Sequence, residues 1–238
     1  MQGIKEAQQL ADAASRVLRV KGVETSLAFY TWFGSSNANP QFVNKLLDQH
    51  YTTAYTHLAP PTIPLIISLG ERTRYTVSKG NPEPGVNSLL YMCPPVSGLL
   101  SDICEEGDGA RVITTHRRNK QRVGPTIVAL CPEFFSNRIS TNAKMIESYR
   151  RDIYMENYSR GFYLLHELQH MPKATEPDPP AIDVKDLNGD GDCYSIRCCA
   201  LLQHHLKISN AQNFAFFALD VTAYPEVAKP GSSESSST

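Results

Sequence analysis

Residues 166–170 have the sequence His-Glu-Leu-Gln-His and could bind a metal ion. On an α-helix, residues four apart lie on the same face one turn apart, so His166 and His170 can both reach one ion. Glu167 lies beside His166 and remains free to handle a proton. Zinc suits this arrangement because it takes nitrogen and oxygen ligands tetrahedrally, and a catalytic site keeps one position for water. The pattern therefore predicts zinc-assisted hydrolysis with Glu167 as the general base.

The flanking residues predict a helix around this motif. Ser159 is a typical N-cap residue. Pro172 disfavours the α conformation at Met171, so the helix should end just after His170. The apolar residues 163–165 surround the motif and direct it toward a core rather than bulk water. An accidental match on a surface helix is the alternative interpretation.

Length and charge limit the classes of protein. The chain has 238 residues and a net charge of −1. It is long enough for a sizeable core, which we assign to one domain at residues 1–228, with a disordered Gly/Ser/Glu tail at 229–238. The charge predicts no nucleic-acid partner, and no apolar run is long enough to span a membrane. We expect a monomer.

Six cysteines suggest an oxidising compartment, because none of them has the C-x-x-C spacing of a metal or redox motif. Three disulfides are expected, with a local Cys93–Cys104 bridge as one candidate, and six free thiols are the alternative. Asn157 begins a glycosylation sequon, which also fits a secreted protein. The six residues are Cys93, Cys104, Cys131, Cys193, Cys198 and Cys199.

The order of predicted elements indicates an α+β fold. Apolar residues at helical spacing predict helices at residues 4–20 and 40–56. Helices are also predicted at residues 141–154, 193–206 and 211–224, besides the motif helix. Short strands are predicted at residues 65–69, 73–77, 89–93, 111–115 and 126–131. Helices thus precede a small set of strands, and further helices follow.

Two histidines do not complete a zinc site, and the usual third histidine or distant glutamate is missing from the residues that follow. Oxygen ligands are available from Asp178, Asp183, Asp186, Asp190 and Asp192. Residues 186–192 also match the start of an EF-hand calcium loop. Arg197 occupies the position that needs a bidentate carboxylate, so we interpret this segment as a turn.

At this point the sequence resembles the aspzincins, the deuterolysin and peptidyl-Lys metalloendopeptidase group of mostly secreted fungal enzymes. Besides the motif, three stretches carry the resemblance: residues 127–135, Cys193-Tyr194 and residues 210–218. The similarity covers about residues 89–220. It implies a zincin-like fold, mostly helical with a small sheet and a metal-binding helix, and a secreted zinc endopeptidase that acts on peptide or protein substrates.

The resemblance also implies two further site residues. The family uses a downstream Asp as third zinc ligand, and divergent members carry an apolar-x-Asp unit, which residues 184–186 resemble. We therefore choose Asp186 as the third ligand, with Asp183 as the second choice. Tyr194 corresponds to the family tyrosine and would stabilise the oxyanion. Gly191 occupies the position three before that tyrosine, where the common family pattern has an Asp.

A protein that keeps the metal site only for binding or stability is the rival interpretation. The family's Gly-Thr is missing here, and Ser195 replaces the Gly after the tyrosine. Glu167 favours the enzyme, because a zinc site that only binds needs no such carboxylate.

The specificity pocket is also expected to differ from that of lysine-specific relatives. Their acidic pair corresponds to Gln212 and Ala215, and both residues are neutral. A buried ammonium group without a counter-charge is costly. With Phe214 and Phe217 nearby, we expect an apolar pocket that does not prefer lysine.

Overall fold

The computed structural model describes residues 2–58, 66–69, 73–76, 89–94, 103–105, 109–116, 122–186, 188–189 and 191–231. Leu65, Val77, Asp190 and most of the predicted tail therefore lie outside the described residues.

The described residues form an α+β fold that is mostly helical, as predicted. The helices before the strands are α1 (Gln2–Leu18), α2 (Leu27–Phe33), α3 (Pro40–Lys45) and α4 (Thr53–His57), with a π-helical turn at Leu46–Thr52. The later helices are α5 (Asn142–Arg151), α6 (Arg160–Gln169), α7 (Pro172–Thr175), α8 (Ile196–Leu201), α9 (His204–Lys207) and α10 (Ala211–Ala223). Within the described part of the chain, no helix combines the length and the apolar character needed to cross a membrane.

Two small sheets account for the strands. β1 (Ile66–Leu69) and β2 (Thr73–Thr76) pair antiparallel. The other sheet has the order β3-β5-β4, formed by β3 (Leu89–Met92), β4 (Ala110–His116) and β5 (Arg122–Leu130). β3 runs parallel to β5, whereas β4 runs antiparallel to it. Among the described strands, β4 thus forms one edge of this mixed sheet.

Most predicted helices are present, but residues 193–206 differ from the prediction, and two helices, α2 and α7, were not predicted. Residues 193–206 do not form one helix, because Leu202 and Gln203 adopt extended backbone angles and separate α8 from α9. Helix α2 was not predicted from the sequence, although Ser26 caps it by accepting a hydrogen bond from the backbone N–H of Phe29. Its seven residues are too few to show a clear helical period.

Helix α6 packs closely against α1 because Gly161 has no side chain. An ideal Cβ atom at Gly161 would lie 2.6 Å from the backbone nitrogen of Ala7 and 2.5 Å from Cβ of Glu6. Real Cβ atoms do not approach other atoms so closely, so the crossing of the two helices requires glycine at this position. This contact fixes the N-terminal half of α6.

Helix α10 lies in the centre of the core and also packs against α6. Twelve of its thirteen residues are buried, so it is a helix without a solvent face. Its one charged side chain, Asp220, accepts hydrogen bonds from Nε1 of Trp32 at 2.8 Å and from the hydroxyl of Tyr149 at 3.1 Å. The core thus satisfies the carboxylate that it buries.

The cysteines form two disulfides rather than three. Cys104 pairs with Cys131, and Cys193 pairs with Cys198. Cys93 is exposed and Cys199 is buried, and both are free thiols. The expected Cys93–Cys104 bridge is therefore wrong: the end of β5 brings Cys131 to within 5.7 Å of Cys104, Cα to Cα, a separation that suits a disulfide.

Gly161 gives a test of this packing. We expect Gly161→Ala to reduce the free energy of unfolding by about 1–3 kcal/mol, because the added methyl group must push α1 and α6 apart. Gly191→Ala is the matched control, since a Cβ atom there meets nothing within 4 Å. Chemical denaturation of both variants measures the difference. Equal stability of Gly161→Ala and the parent would contradict the close crossing of the two helices.

Candidate metal centre

The motif helix begins and ends where the sequence predicts. Ser159 is the N-cap, and its hydroxyl accepts from the backbone N–H of Phe162 at 3.0 Å while it donates to Oδ1 of Asn142 at 2.6 Å. His170 is the C-cap residue, directly after the last helical residue. The two histidines therefore occupy the C-terminal turn of α6.

Three side chains meet at this end of the helix: His166, His170 and Asp183. The Nε2 atoms of the histidines are 3.2 Å apart. Oδ1 of Asp183 lies 3.3 Å from Nε2 of His166, and Oδ2 lies 3.4 Å from Nε2 of His170. Each residue offers one ligand atom to a common point.

These distances fit a zinc ion. Ligand atoms about 2.0–2.1 Å from a tetrahedral zinc ion are about 3.3 Å from one another, close to the separations of the three ligand atoms. Oδ1 of Asp183 is buried, and its close neighbour is Nε2 of His166, so a metal ion between the two atoms would satisfy this oxygen. Nδ1 of His170 donates to the carbonyl of Ala181 at 2.8 Å, which leaves Nε2 as the ligand atom.

Backbone hydrogen bonds bring Asp183 to the histidines. The N–H of Ala181 donates to the carbonyl of Gln169 at 2.9 Å, and the N–H of Ile182 donates to the carbonyl of Ser209 at 2.8 Å. The segment before Asp183 is thus attached both to the end of α6 and to the residues before α10.

The structure places Asp183, rather than Asp186, beside the two histidines, so Asp183 is the better candidate for a third ligand. The carboxylate of Asp186 accepts a hydrogen bond from the backbone N–H of Asn188 at 3.0 Å, and its own N–H donates to the carbonyl of Gly191. Asp186 is therefore part of the following turn. Residues 181–183, Ala-Ile-Asp, are also an apolar-x-Asp unit, so the sequence signal was present at both places.

Glu167 is held beside the three ligand atoms but is not one of them. Its Oε2 accepts a hydrogen bond from the backbone N–H of Val112 at 2.8 Å, and its Oε1 lies 3.8 Å from Nε2 of His166. The residue is only 7% exposed, and this burial raises its pKa, although His166 and His170 oppose the shift. A carboxyl group with a raised pKa is a better proton acceptor than an ordinary carboxylate.

The candidate ligands also interact strongly with one another. Burial lowers the pKa of His170, but Asp183 and Glu167 outweigh this effect and raise it to about 9. Burial opposes the ionised form of Asp183, yet its contacts with His166 and His170 hold its pKa well below the usual range. A metal ion must displace a proton from His170, so metal binding should weaken as the pH falls.

Tyr194 lies beside the same site. Its ring centroid is 5.8 Å from that of His166, and 44% of its surface is exposed. Burial of the hydroxyl and the charges of nearby Asp183 and Asp192 raise the pKa of Tyr194 well above its usual range. The phenol therefore keeps its proton and remains a hydrogen-bond donor.

Two cavities open onto these residues. The larger, of about 390 Å³, is lined by Ala110, Arg111, Val112, Glu167, His170, Asp183, Asp192 and Tyr194. The smaller, of about 180 Å³, is lined by Gly109, Ala110, Glu156, Tyr158, Tyr163, His166, Glu167, Tyr194 and Gln212. Glu167 and Tyr194 belong to both linings, so a molecule in either cavity reaches the candidate catalytic groups.

The smaller cavity differs from the expected apolar pocket. Gln212 lines it, but Phe214 stacks on His50 and Phe217 packs against Tyr51, and both phenylalanines are fully buried in the core. Helix α10 turns these rings away from the cavity, since they lie two and five residues beyond Gln212. Three tyrosine rings and the exposed carboxylate of Glu156 line it instead.

Sequence reasoning missed the groups that hold the site from outside the motif. The N–H of Val112 and the carbonyl of Ala181 are backbone atoms, so no residue type marks them. Tyr158 and Tyr163 flank the motif in sequence, and their contribution to the cavity was not predicted.

Comparison with known proteins supports the fold. No protein-family model matches the chain, and no curated protein matches it by sequence. Among solved structures, the chain is similar to a zinc peptidase from Grifola frondosa, with a TM-score of 0.51 and 17% sequence identity over 93% of both chains. At this identity the likeness shows a shared fold and nothing finer.

The metal centre gives a second test. We expect about one equivalent of zinc after dialysis, lost in His166→Ala and in Asp183→Ala because each variant removes one of three ligand atoms. Asp186→Ala is the matched control and should retain zinc, since that carboxylate caps a turn. Metal analysis of the purified variants measures the content. Zinc loss in Asp186→Ala with retention in Asp183→Ala would reverse the assignment.

Proposed function

We propose that the chain is a secreted zinc endopeptidase of the aspzincin type, with His166, His170 and Asp183 as zinc ligands. Its substrate would be a peptide or protein, and we expect it to act as a monomer. The observation that carries the proposal is the position of Glu167, a buried carboxylate with a raised pKa that faces both cavities beside the ligand atoms. A site that only binds zinc has no need for such a group, so this observation favours the enzyme over the non-enzymatic rival.

The side chains divide the chemistry between them. Zinc, when bound, supplies Lewis acidity toward the substrate carbonyl and lowers the pKa of a water molecule to about 7. Glu167 would accept a proton from the attacking water through Oε1 and pass it to the nitrogen of the leaving amine. Meanwhile Oε2 stays bonded to the N–H of Val112, which fixes the direction of the carboxylate.

Tyr194 would stabilise the negative charge that develops on the substrate. As water attacks, the carbonyl oxygen of the substrate becomes negative, and a hydrogen bond from the phenol stabilises it. The raised pKa of Tyr194 keeps this donor protonated throughout the neutral range. Gln212 holds the tyrosine in place, because its Nε2 donates to the backbone carbonyl of Tyr194 at 3.0 Å.

The disulfide bonds support the proposal that the protein is secreted. Two disulfides form among the described residues, and such bonds persist in oxidising compartments. The fold shared with a zinc peptidase is consistent with this assignment.

Glu167 gives the test of the mechanism. We expect Glu167→Gln to bind zinc as the parent does but to lose peptidase activity by several orders of magnitude, because the amide cannot accept the proton of water. Casein cleavage measures activity, and metal analysis of the same sample is the control.

Tyr194→Phe should lower kcat about 10- to 1000-fold with little change in KM, as expected for a donor used in the transition state.

Two outcomes would contradict the proposal. Undiminished cleavage by Glu167→Gln would remove this residue from the mechanism. A zinc-loaded parent that cleaves no peptide in a broad library would favour the non-enzymatic rival.

The smaller cavity gives a test of specificity. We expect cuts before uncharged residues rather than before lysine, because Gln212 is neutral and Glu156 is exposed to solvent, which screens its charge. Mass spectrometry of a proteome digest identifies the cleavage sites. A majority of cuts before lysine would contradict this expectation, and their loss in Glu156→Gln would identify Glu156 as the counter-charge.

A further inference from the structure

Asp183 and Tyr194 both lie outside the helices and strands, although the proposed chemistry needs them at fixed places. Each belongs to an extended piece of chain between α7 and α8. The two pieces are joined directly, because the N–H of Cys193 donates to the carbonyl of Val184 at 2.7 Å. The residue after Asp183 is thus bonded to the residue before Tyr194.

One side of Asp183 is attached to the start of α10 through the backbone. The N–H of Ile182 donates to the carbonyl of Ser209 at 2.8 Å, and the N–H of Ala211 donates to the carbonyl of Ile182 at 3.0 Å. These bonds fix the residue before Asp183 but leave the residue after it to other contacts.

The side chain of Asn210 provides those contacts. Its Oδ1 accepts from the N–H of Val184 at 3.2 Å. Its Nδ2 donates to Oδ1 of Asn213 at 2.8 Å and lies 3.4 Å from the carbonyl of Cys193. Asn210 has no exposed surface, so water cannot replace these partners.

We propose that Asn210 is a positioning residue of the metal centre, which holds Asp183 and Tyr194 at fixed places relative to each other. Its amide oxygen fixes the segment of the third ligand, and its amide nitrogen fixes the segment of the tyrosine. The inference rests on the zinc site of the proposed function but not on peptide cleavage, because metal affinity reports the position of Asp183 without any substrate.

The two different ends of the amide explain why asparagine suits this position. An aspartate would still accept from the N–H of Val184, but it would present a second oxygen to Oδ1 of Asn213 and to the carbonyl of Cys193. That second oxygen would face two acceptors and donate to neither of them, and this repulsion would push the Tyr194 segment away.

The experiment compares Asn210→Asp and Asn210→Ser with the parent, each as the full chain. Competition with a chromogenic chelator measures the zinc dissociation constant, which should rise about 10- to 100-fold, as is typical when a group that orients a metal ligand is lost. Cobalt-substituted samples should show altered visible absorption bands, because these bands depend on ligand geometry. In an Asp183→Ala background, Asn210→Asp should cause no further loss of zinc affinity.

Asn142→Ala is the matched control for general destabilisation. Asn142 is also a buried asparagine, whose Nδ2 donates to the carbonyl of Glu6 at 2.8 Å, but it lies at the far end of α6. This variant should lower the melting temperature of the metal-free protein as Asn210→Asp does, yet keep the zinc affinity and the cobalt spectrum of the parent.

Several outcomes would overturn the inference. Parent-like zinc affinity and cobalt bands in both Asn210 variants would leave Asn210 a purely structural residue. Rapid amide hydrogen exchange at Val184 in the metal-free parent would do the same even if neither variant folds, because the bond to Asn210 would then be absent. A parent that binds zinc tightly but cleaves no peptide would contradict only the proposed function.

Discussion

The structure depends on the burial of helix α6 between α1 and α10. Gly161 allows α1 to approach α6 closely. Helix α10, which is buried at twelve of its thirteen residues, also packs against α6. The polar end of α6, with His166, Glu167 and His170, is thereby directed toward the cleft beside β4. Because the helix is held along its length, the two imidazoles keep a fixed separation without a metal ion between them.

The part of the site that depends on local sequence could be predicted. The four-residue spacing of the histidines, the N-cap at Ser159 and the stop before Pro172 are all properties of one helix, and each follows from neighbouring residues. Long segments such as α1 and α10 were also predicted from neighbouring residues. The α+β class followed from the order of these elements alone.

The sequence could not decide in this way between Asp183 and Asp186 as the candidate third ligand. Asp183 and Asp186 lie in the same loop, and both follow an apolar-x pattern. What separates them is the pairing of this loop with residues 209–211, which are distant in sequence and contribute mainly backbone atoms. The disulfide partners and the lining of the smaller cavity have the same origin, since both depend on which faces meet after the chain has folded.

His50 has a consequence for the response of the whole protein to acid. It lies in the π-helical turn behind α6, stacks on Phe214 and bonds to Gln169 through Nδ1 at 2.8 Å. Burial lowers its pKa from 6.5 to about 4. As the pH falls from 6.5 to about 4, His50 becomes protonated in the unfolded chain but stays neutral in the native protein. The free energy of unfolding, which has its full value above pH 6.5, therefore falls by on the order of 3 kcal/mol over this interval. Acid therefore destabilises the folded protein through a buried histidine that packs against the end of α6.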